Sequence, residues 1–225
     1  TGGMDRQSIA PEDFACRPVQ LLGERWMLLG SGDAPATWNA MTVSWGGFGV
    51  MWGMPIALVS VRPSRHTFAL LQACRDFTLL ALPTDRRPAL ELCGRRSGRD
   101  GGKLAAAGLN PRPAPCGAAP DLAEAELCLC CRTVGWIDLR PEGFVDDMVA
   151  RVEGASDVHR WFAGRITAIS GTAAFCGGLK SSTNGSAEFS RPSSASEPRL
   201  QKTALKGSER RKGVRERVRL RRASP

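Results

Sequence analysis

Short apolar runs, separated by glycine, proline and small polar residues, dominate the first three quarters of the chain. Such runs are typical of β-strands. The predicted strands are Pro18–Leu22, Trp26–Gly30, Trp38–Trp45, Pro55–Val61, Phe77–Leu82, Glu126–Val134 and His159–Ile169. Helical spacing of apolar residues is confined to Ser64–Cys74, Arg86–Cys93 and Lys103–Ala107. Without a regular β-α-β alternation, the pattern predicts a mainly β fold with short helices (β+α), built as a barrel.

Residues 34–61 carry no charged side chain, and such a stretch is long enough to span a membrane. It contains two prolines, however, and a glycine-rich segment at Gly46–Gly53 that predicts a turn. The stretch therefore divides into two buried strands of a barrel core, and we expect no membrane association.

Charge divides the chain into unequal parts. Residues 1–175 hold 18 basic and 18 acidic side chains, whereas residues 176–225 hold 13 basic and 4 acidic ones, which accounts for the net charge of +9. We predict an N-terminal extension (1–15), one folded domain (16–172) and a basic, disordered tail (173–225). A basic tail can bind nucleic acid. A solvated tail, or translated sequence outside the natural reading frame, explains it better.

The eight cysteines bear on the compartment and on metal binding. No secretory signal pattern is apparent, so we expect a cytoplasmic protein with free thiols. The cluster Cys128–Cys131 lacks the second ligand pair that a structural zinc site needs. Its alternation predicts a strand in which thiols serve as small apolar side chains, and we expect no metal.

Two basic segments have the composition of anion sites. Arg62, Arg65 and His66 surround the start of the Ser64–Cys74 helix, where acidic residues are normally favoured. A phosphate held by backbone N–H groups, hydroxyls and arginine would resolve this conflict, and a salt bridge to an acid such as Asp76 is the alternative. The second segment, Gly94–Lys103, is basic and glycine-rich but does not match a P-loop.

Polar and apolar side chains alternate imperfectly in the Trp38–Trp45 strand, which precedes both basic segments. A flat ring cofactor needs polar partners along one edge and apolar contacts on its faces, and this strand offers both. Taken alone, the strand is more typical of an ordinary barrel strand whose polar residues face solvent.

Several segments in order resemble the flavin reductase family, especially its flavoredoxin-like branch. They are WMLLGSGD, WNAMTVSWGGFGVMWGMP, VRPSRHTF, DFTLLALP, CGRRSGRDGGK, AAGLN, EAELCLCCR and DVHRWFAGRI, which cover most of residues 16–170. The resemblance implies an FMN-binding split β-barrel of the Greek-key type. It assigns the FMN ring and ribityl chain to Asn39, Met41, Thr42, Val43, Ser44 and Trp45. It assigns the phosphate to Arg62, Arg65, Thr67, Ser97, Gly98 and Lys103.

The same resemblance implies a function. A flavin-dependent oxidoreductase of this family takes reducing equivalents from NADH or NADPH, passes them through FMN to an acceptor, which can be a protein, and forms a homodimer. His159 would then lie on the nicotinamide side of the flavin, although a packed or solvent-facing histidine is equally consistent with the sequence. The alternative is a flavoredoxin-type FMN electron carrier that does not oxidise NAD(P)H directly. Nucleic-acid binding through the tail is a less favoured alternative.

Overall fold

The structure, a computed structural model, describes residues 4–115 and 117–177, which form mainly β-strands with a few short helices. The strands are β1 (Gln7–Ile9), β2 (Met27–Ser31), β3 (Asn39–Val43), β4 (Gly46–Met51), β5 (Met54–Val61), β6 (Asp76–Ala81), β7 (Pro111–Pro113), β8 (Pro120–Leu122), β9 (Leu127–Asp138) and β10 (Arg160–Gly171). The helices are α1 (His66–Ala73), α2 (Arg87–Arg95), α3 (Lys103–Ala106) and α4 (Asp147–Glu153).

One antiparallel sheet has the order β3-β2-β6-β9-β10-β5-β4, with β1 also paired to β10, while β7 and β8 pair separately. Only Ser44 and Trp45 separate the two end strands, β3 and β4, along the chain. Because this link holds Val43 and Gly46 within about 11 Å of each other, the sheet has to curl until its ends approach. Since β3 and β4 are not paired in the described part of the sheet, the barrel stays open along this line, which we call the seam.

Both faces of the sheet are buried, which explains the long uncharged runs. Leu29 and Leu79 belong to the core inside the barrel, whereas their chain neighbours Leu28 and Leu80 pack in a second core beneath α2. Phe77 and Phe162 are among the largest side chains in the inner core and are about 1% exposed. The second core holds α2 and α3 against β3, and this packing positions the basic loop between those helices.

Two local predictions are wrong. Residues Gln20–Arg25 form a π-helical turn that buries Leu21 and Leu22, so the predicted strand Pro18–Leu22 does not exist. An apolar run of this length does not distinguish a strand from a buried helical turn. The glycine-rich segment after Trp45 is mostly strand β4, paired with β5. The reversal is confined to Trp52 and Gly53, both at positive φ, as a tight hairpin turn requires.

Residues beyond the predicted domain limits also contribute to this structure. Strand β1 pairs with the end of β10, and Arg6 forms a buried ion pair with Asp121, which also accepts a hydrogen bond from Arg112 at 2.9 Å. Phe175 is 5% exposed in the inner core. The predicted boundaries at residues 15 and 172 remain predictions, and most of the predicted tail lies outside the described residues.

Cysteine chemistry agrees only in part with the expectation of free thiols. Cys128 and Cys131 are free and buried in β9, where they pack as apolar side chains, and their pKa values are raised by burial. Cys130 on the same strand is disulfide-bonded, unlike its neighbours. Among the described residues, none of the helices is both long and apolar enough to cross a membrane.

Candidate functional site

The seam opens into a cavity of about 220 Å³, here called the seam cavity. Its lining consists of Met41, Thr42, Val43, Ser44, Trp45, Ser60, Val61, Arg62, Arg65 and His159. Five of the six residues predicted for a flat ring therefore line one cavity. Met41 and Val43 turn their side chains to the inner core, while the Thr42 hydroxyl donates to the Leu90 carbonyl in α2. Trp45 is 43% exposed, so one large aromatic surface remains open here.

His159 forms one wall of the seam cavity and is held on two sides. Its ring lies 5.0 Å from the Trp45 ring, centroid to centroid. Its Nδ1 lies 2.9 and 3.1 Å from the two carboxylate oxygens of buried Glu153. When Nδ1 donates its proton to this carboxylate, Nε2 is the ring nitrogen that remains for another partner. His159 is thus a packed and paired histidine that also lines the cavity.

Glu153 carries the negative charge in this pair. Burial alone would raise the pKa of its carboxyl group, but hydrogen bonds from His159 and the charge of Arg62 outweigh burial. The pKa of Glu153 is therefore lowered from its ordinary value, and the carboxylate is ionised at neutral pH.

Arg62 connects α1 with the end of α4. Its guanidinium donates to the carbonyl oxygens of Glu153 (3.1 Å), Asp157 (2.9 Å) and Val152 (3.0 Å). Carbonyls at a helix C-terminus attract a cation because they lack partners within the helix. The predicted phosphate ligand Arg62 therefore has a structural role in anchoring α4, although it also lines the seam cavity.

An acidic side chain does contact the basic turn before α1, but it is Asp157 and not Asp76, the acid that the sequence suggested. Asp157 accepts from the Ser64 backbone N–H at 2.8 Å and from the Ser64 hydroxyl at 2.6 Å. Burial would raise the pKa of Asp157, yet the Ser64 hydrogen bonds and Arg62 lower it. Asp76 instead lies 3.5 Å from Arg132. The Asp157 carboxylate thus neutralises part of the charge that led us to predict an anion.

A second cavity of about 340 Å³ adjoins the seam cavity and shares Met41, Arg62 and Arg65 with it. We call it the anion cavity. Its other lining residues are Ser64, His66, Thr67, Cys93, Arg95, Arg96, Ser97, Gly98, Arg99 and Lys103. Six of its lining residues are Arg or Lys, and none of those described is acidic. All six residues predicted for a phosphate line this cavity.

Lys103 is the least exposed of these cations, at 5%, although its charge would favour water. No hydrogen bond or ion pair to its ammonium group occurs within residues 4–115 and 117–177. Burial lowers its pKa, and Arg65 and Arg96 lower it further, whereas Cys93 and Asp100 act in the opposite direction. The pKa of His66 is lowered by burial and by Arg99 and Lys103. An anion in this cavity would supply the missing countercharge.

Asn39 fixes the loop that closes the anion cavity. Its Nδ2 donates to the Thr67 hydroxyl at 2.9 Å, and both side chains are buried. A Cβ atom at Gly98 would overlap the Asn39 side-chain oxygen and approach the His66 ring to 2.8 Å. Glycine is therefore required at Gly98 for the loop to pack this closely. Asn39 does not line the seam cavity, so the structure does not bring it together with the other five predicted ring residues.

Sequence reasoning missed several contributors. Ser60 and Val61 reach the site through strand pairing, Glu153 through the end of α4, which was not predicted, and Asp157 through the loop after α4. Arg96 and Arg99 belong to the basic loop that was recognised as a whole. The described part of the chain contains no group of His, Cys, Asp and Glu side chains arranged to hold a metal ion.

Comparison with solved structures gives the same fold. The flavoredoxin of Methanosarcina acetivorans is 20% identical with a TM-score of 0.53, covering 66% of this chain and 69% of that chain. The flavoredoxin of Desulfovibrio vulgaris is 21% identical with a TM-score of 0.53, covering 66% and 70%. An FMN-binding domain of a flavin reductase-like enzyme from Shewanella baltica is 13% identical with a TM-score of 0.55, covering 76% and 79%. At these identities the likeness concerns the fold, and the predicted split barrel is confirmed.

Sequence comparison identifies the family directly. A search of curated proteins gave no significant match. The family model described as the flavin reductase like domain matches residues 22–174, which include every residue of the seam and anion cavities. The chain therefore belongs to the flavin reductase-like domain family.

Proposed function

We propose that this chain binds FMN, with the isoalloxazine ring in the seam cavity and the phosphate in the anion cavity. The observation that supports this most directly is that the two cavities are adjacent and share Met41, Arg62 and Arg65. An elongated ligand with an apolar ring at one end and a doubly charged group at the other matches this distribution.

Different residues would contact the ring and the phosphate of the ligand. Trp45 would offer exposed aromatic surface to the ring, and the polar side chains Thr42 and Ser44 line the same cavity. Arg65, Thr67, Ser97 and Lys103, with the Gly98 backbone, surround the phosphate. Arg62 acts mainly by fixing α4, and Asn39 by bonding Thr67 in α1 and packing against Gly98 of the basic loop.

The proposed activity is that of a cytoplasmic flavin-dependent oxidoreductase. Bound FMN supplies the chemistry of accepting a hydride from NADH or NADPH and passing electrons to an acceptor. The chain orients the ring, excludes water from its buried side and leaves the side near Trp45 and His159 accessible to a nicotinamide. Glu153 holds the His159 ring in one orientation at this edge.

The visible spectrum of the purified full chain tests both steps. We expect FMN to stay with the protein through desalting, and anaerobic addition of NADH or NADPH to bleach its absorbance. An FMN-bound protein that neither nucleotide reduces would support the alternative of an electron carrier serving a protein donor. A protein that does not retain FMN and shows no change in flavin fluorescence on titration would contradict the proposal as a whole.

We further propose a homodimer. Large apolar side chains are exposed at the end of β9 and around α4. They are Val134, Trp136, Ile137, Val145, Met148, Val149 and Val152. Apolar surface of this extent is typical of an interface. Light scattering after size exclusion gives twice the chain mass if this holds, and Met148→Glu shifts the mass towards the monomer.

A further inference from the structure

A cavity of about 470 Å³, here called the aromatic cavity, shares no lining residue with the seam cavity or the anion cavity. Its lining comes from the last turn of α1, the residue Arg75, residues 133–136 of β9 and the start of β10. Trp136 and Phe162 line it and are paired directly across the sheet, and Phe162 belongs to the inner core. Directly paired residues share a face, so the aromatic cavity lies on the inner face of the barrel sheet. Its volume is typical of small-molecule sites.

One wall of this cavity is flat and aromatic. Trp136 is 58% exposed, and the Arg160 guanidinium lies 5.1 Å from the centroid of its ring and 6.0 Å from that of Phe162. Asp138 balances the charge of Arg160, because its carboxylate accepts from Nε at 2.5 Å and from Nη2 at 2.8 Å. The planar guanidinium and the two rings together offer surface on which a planar ring can stack.

A buried hydroxyl group belongs to the same cavity. Thr133 is 7% exposed, and its hydroxyl oxygen has no hydrogen-bond partner in the part of the chain that the structure describes. Thr133 pairs with Gly164, at which a Cβ atom would overlap the Phe77 ring of the inner core. The Thr133 side chain therefore lies on the inner face, as the cavity does. A buried hydroxyl without a partner is costly, and a polar ligand atom would supply the partner.

A basic residue lies next to this hydroxyl. The Arg75 carbonyl accepts from the Thr133 backbone N–H at 2.7 Å, so the two residues are adjacent. Arg75 is exposed, and its guanidinium makes no hydrogen bond or ion pair with any other residue of the described ranges. None of the described lining residues is acidic. A carboxylate has two oxygens and can accept from a guanidinium and a hydroxyl at once.

We propose that the aromatic cavity binds a small planar aromatic carboxylate, with its ring against Trp136 and its carboxylate held by Arg75 and Thr133. The inference goes beyond the proposed flavin site and does not depend on it. Trp136 also belongs to the apolar surface of the proposed homodimer, so a second subunit is the competing occupant. The unpaired guanidinium and hydroxyl favour the charged ligand, because an apolar side chain of a second subunit would satisfy neither group.

Cinnamate, a planar aromatic carboxylate, is a direct probe, and its uncharged amide is the matched ligand control. Calorimetric titrations of the full chain would compare the wild type with Arg75→Met and with Thr133→Val, which keeps the shape of the side chain. Arg132→Met is the matched control variant, because Arg132 is an exposed neighbour of Thr133 in β9 that does not line the cavity. A titration with cinnamate at saturating FMN tests whether the two sites are separate.

We expect the wild type to bind cinnamate with a Kd of about 1 mM or lower, and the amide at least about fivefold more weakly. Arg75→Met should weaken cinnamate about fivefold or more and Thr133→Val about threefold or more, while Arg132→Met should stay within about twofold. FMN should not displace cinnamate.

Four results would overturn the inference: no binding to the wild type, equal affinity for the amide, equal loss in the control variant, or displacement by FMN. Binding that disappears at protein concentrations where light scattering gives the dimer mass would identify a second subunit as the occupant and would also overturn it. A chain that binds cinnamate as expected but does not bind FMN would refute the proposed function alone.

Discussion

Lys103→Met is expected to have opposite effects on the free protein and on its flavin complex. In the free protein Lys103 is 5% exposed, lies in a cavity lined by five arginines and makes no hydrogen bond or ion pair with the residues that the structure describes. Methionine has a similar length and no charge, so it fills the same space without the electrostatic cost. The substitution should therefore stabilise the flavin-free fold while removing a phosphate donor.

The magnitudes follow from the geometry. A hydrogen bond from an ionised donor is worth about 1.5–3 kcal/mol, so FMN should bind about 10- to 150-fold more weakly. Riboflavin lacks the phosphate and should lose no more than about twofold. Removal of the unpaired cation should stabilise the flavin-free protein by roughly 1 kcal/mol, which raises its melting temperature by about 2–4 °C.

The pH dependence gives a further check. The folded-state pKa of Lys103 lies below its ordinary value of 10.5, so the charged form is disfavoured in the fold. As pH rises from the folded-state pKa towards 10.5, the flavin-free wild type should therefore gain stability, and the variant should lack this gain.

Isothermal titration with FMN and riboflavin measures the change in flavin affinity. Thermal unfolding of the flavin-free protein measures the change in stability and its dependence on pH. Arg17→Met is the matched control, because it removes an exposed basic residue that lines neither the seam cavity nor the anion cavity. Parallel loss of FMN and riboflavin, a lower melting temperature, or the same response in the control would refute the reasoning.

Three further substitutions test other contacts of the site. The fold favours the Glu153 carboxylate that pairs with His159, so the wild type should lose stability as pH falls below 4.5 through the lowered pKa of this carboxyl. Glu153→Gln should abolish this loss, and denaturant midpoints measured across this pH range test it. Gly98→Ala should displace the basic loop and weaken FMN roughly tenfold or more in titration, whereas Gly47→Ala, with no atom within 4 Å of the new Cβ, should have no effect. Asp157→Asn should tighten FMN about two- to fivefold by removing a nearby negative charge, and unchanged or weaker affinity would show that this charge does not reach the phosphate.

Two strands that sequence patterns predicted correctly share one physical property. The runs of β5 and β6 are largely buried on both faces, so they appear as apolar segments between turn residues. Strand β4 is glycine-rich and partly exposed, and its sequence therefore has the composition of a turn. Helix α4 was missed although Asp146 caps its start and Gly154 follows its end, because its apolar residues are exposed.

Only the parts of the site that are continuous in sequence could be predicted from it. The ring-binding strand and the basic loop are each continuous in sequence, so their composition indicated their chemistry. The pairing of Glu153 with His159 spans only six positions, but Glu153 ends α4, a helix that the sequence did not predict. The pairing of Asp157 with Ser64 joins positions 93 residues apart, and such a contact depends on the tertiary fold.

The position of β10 in the sheet affects how the chain matures during synthesis. This strand pairs with β9, β5 and β1, yet it comes from residues 160–171, the last strand of the sheet to be made. Until the ribosome has passed this point, three earlier strands each keep an unpaired edge, and such edges promote association between unfinished chains. The barrel is therefore completed in a single late step, and a chain truncated between residues 139 and 159 leaves those three edges open.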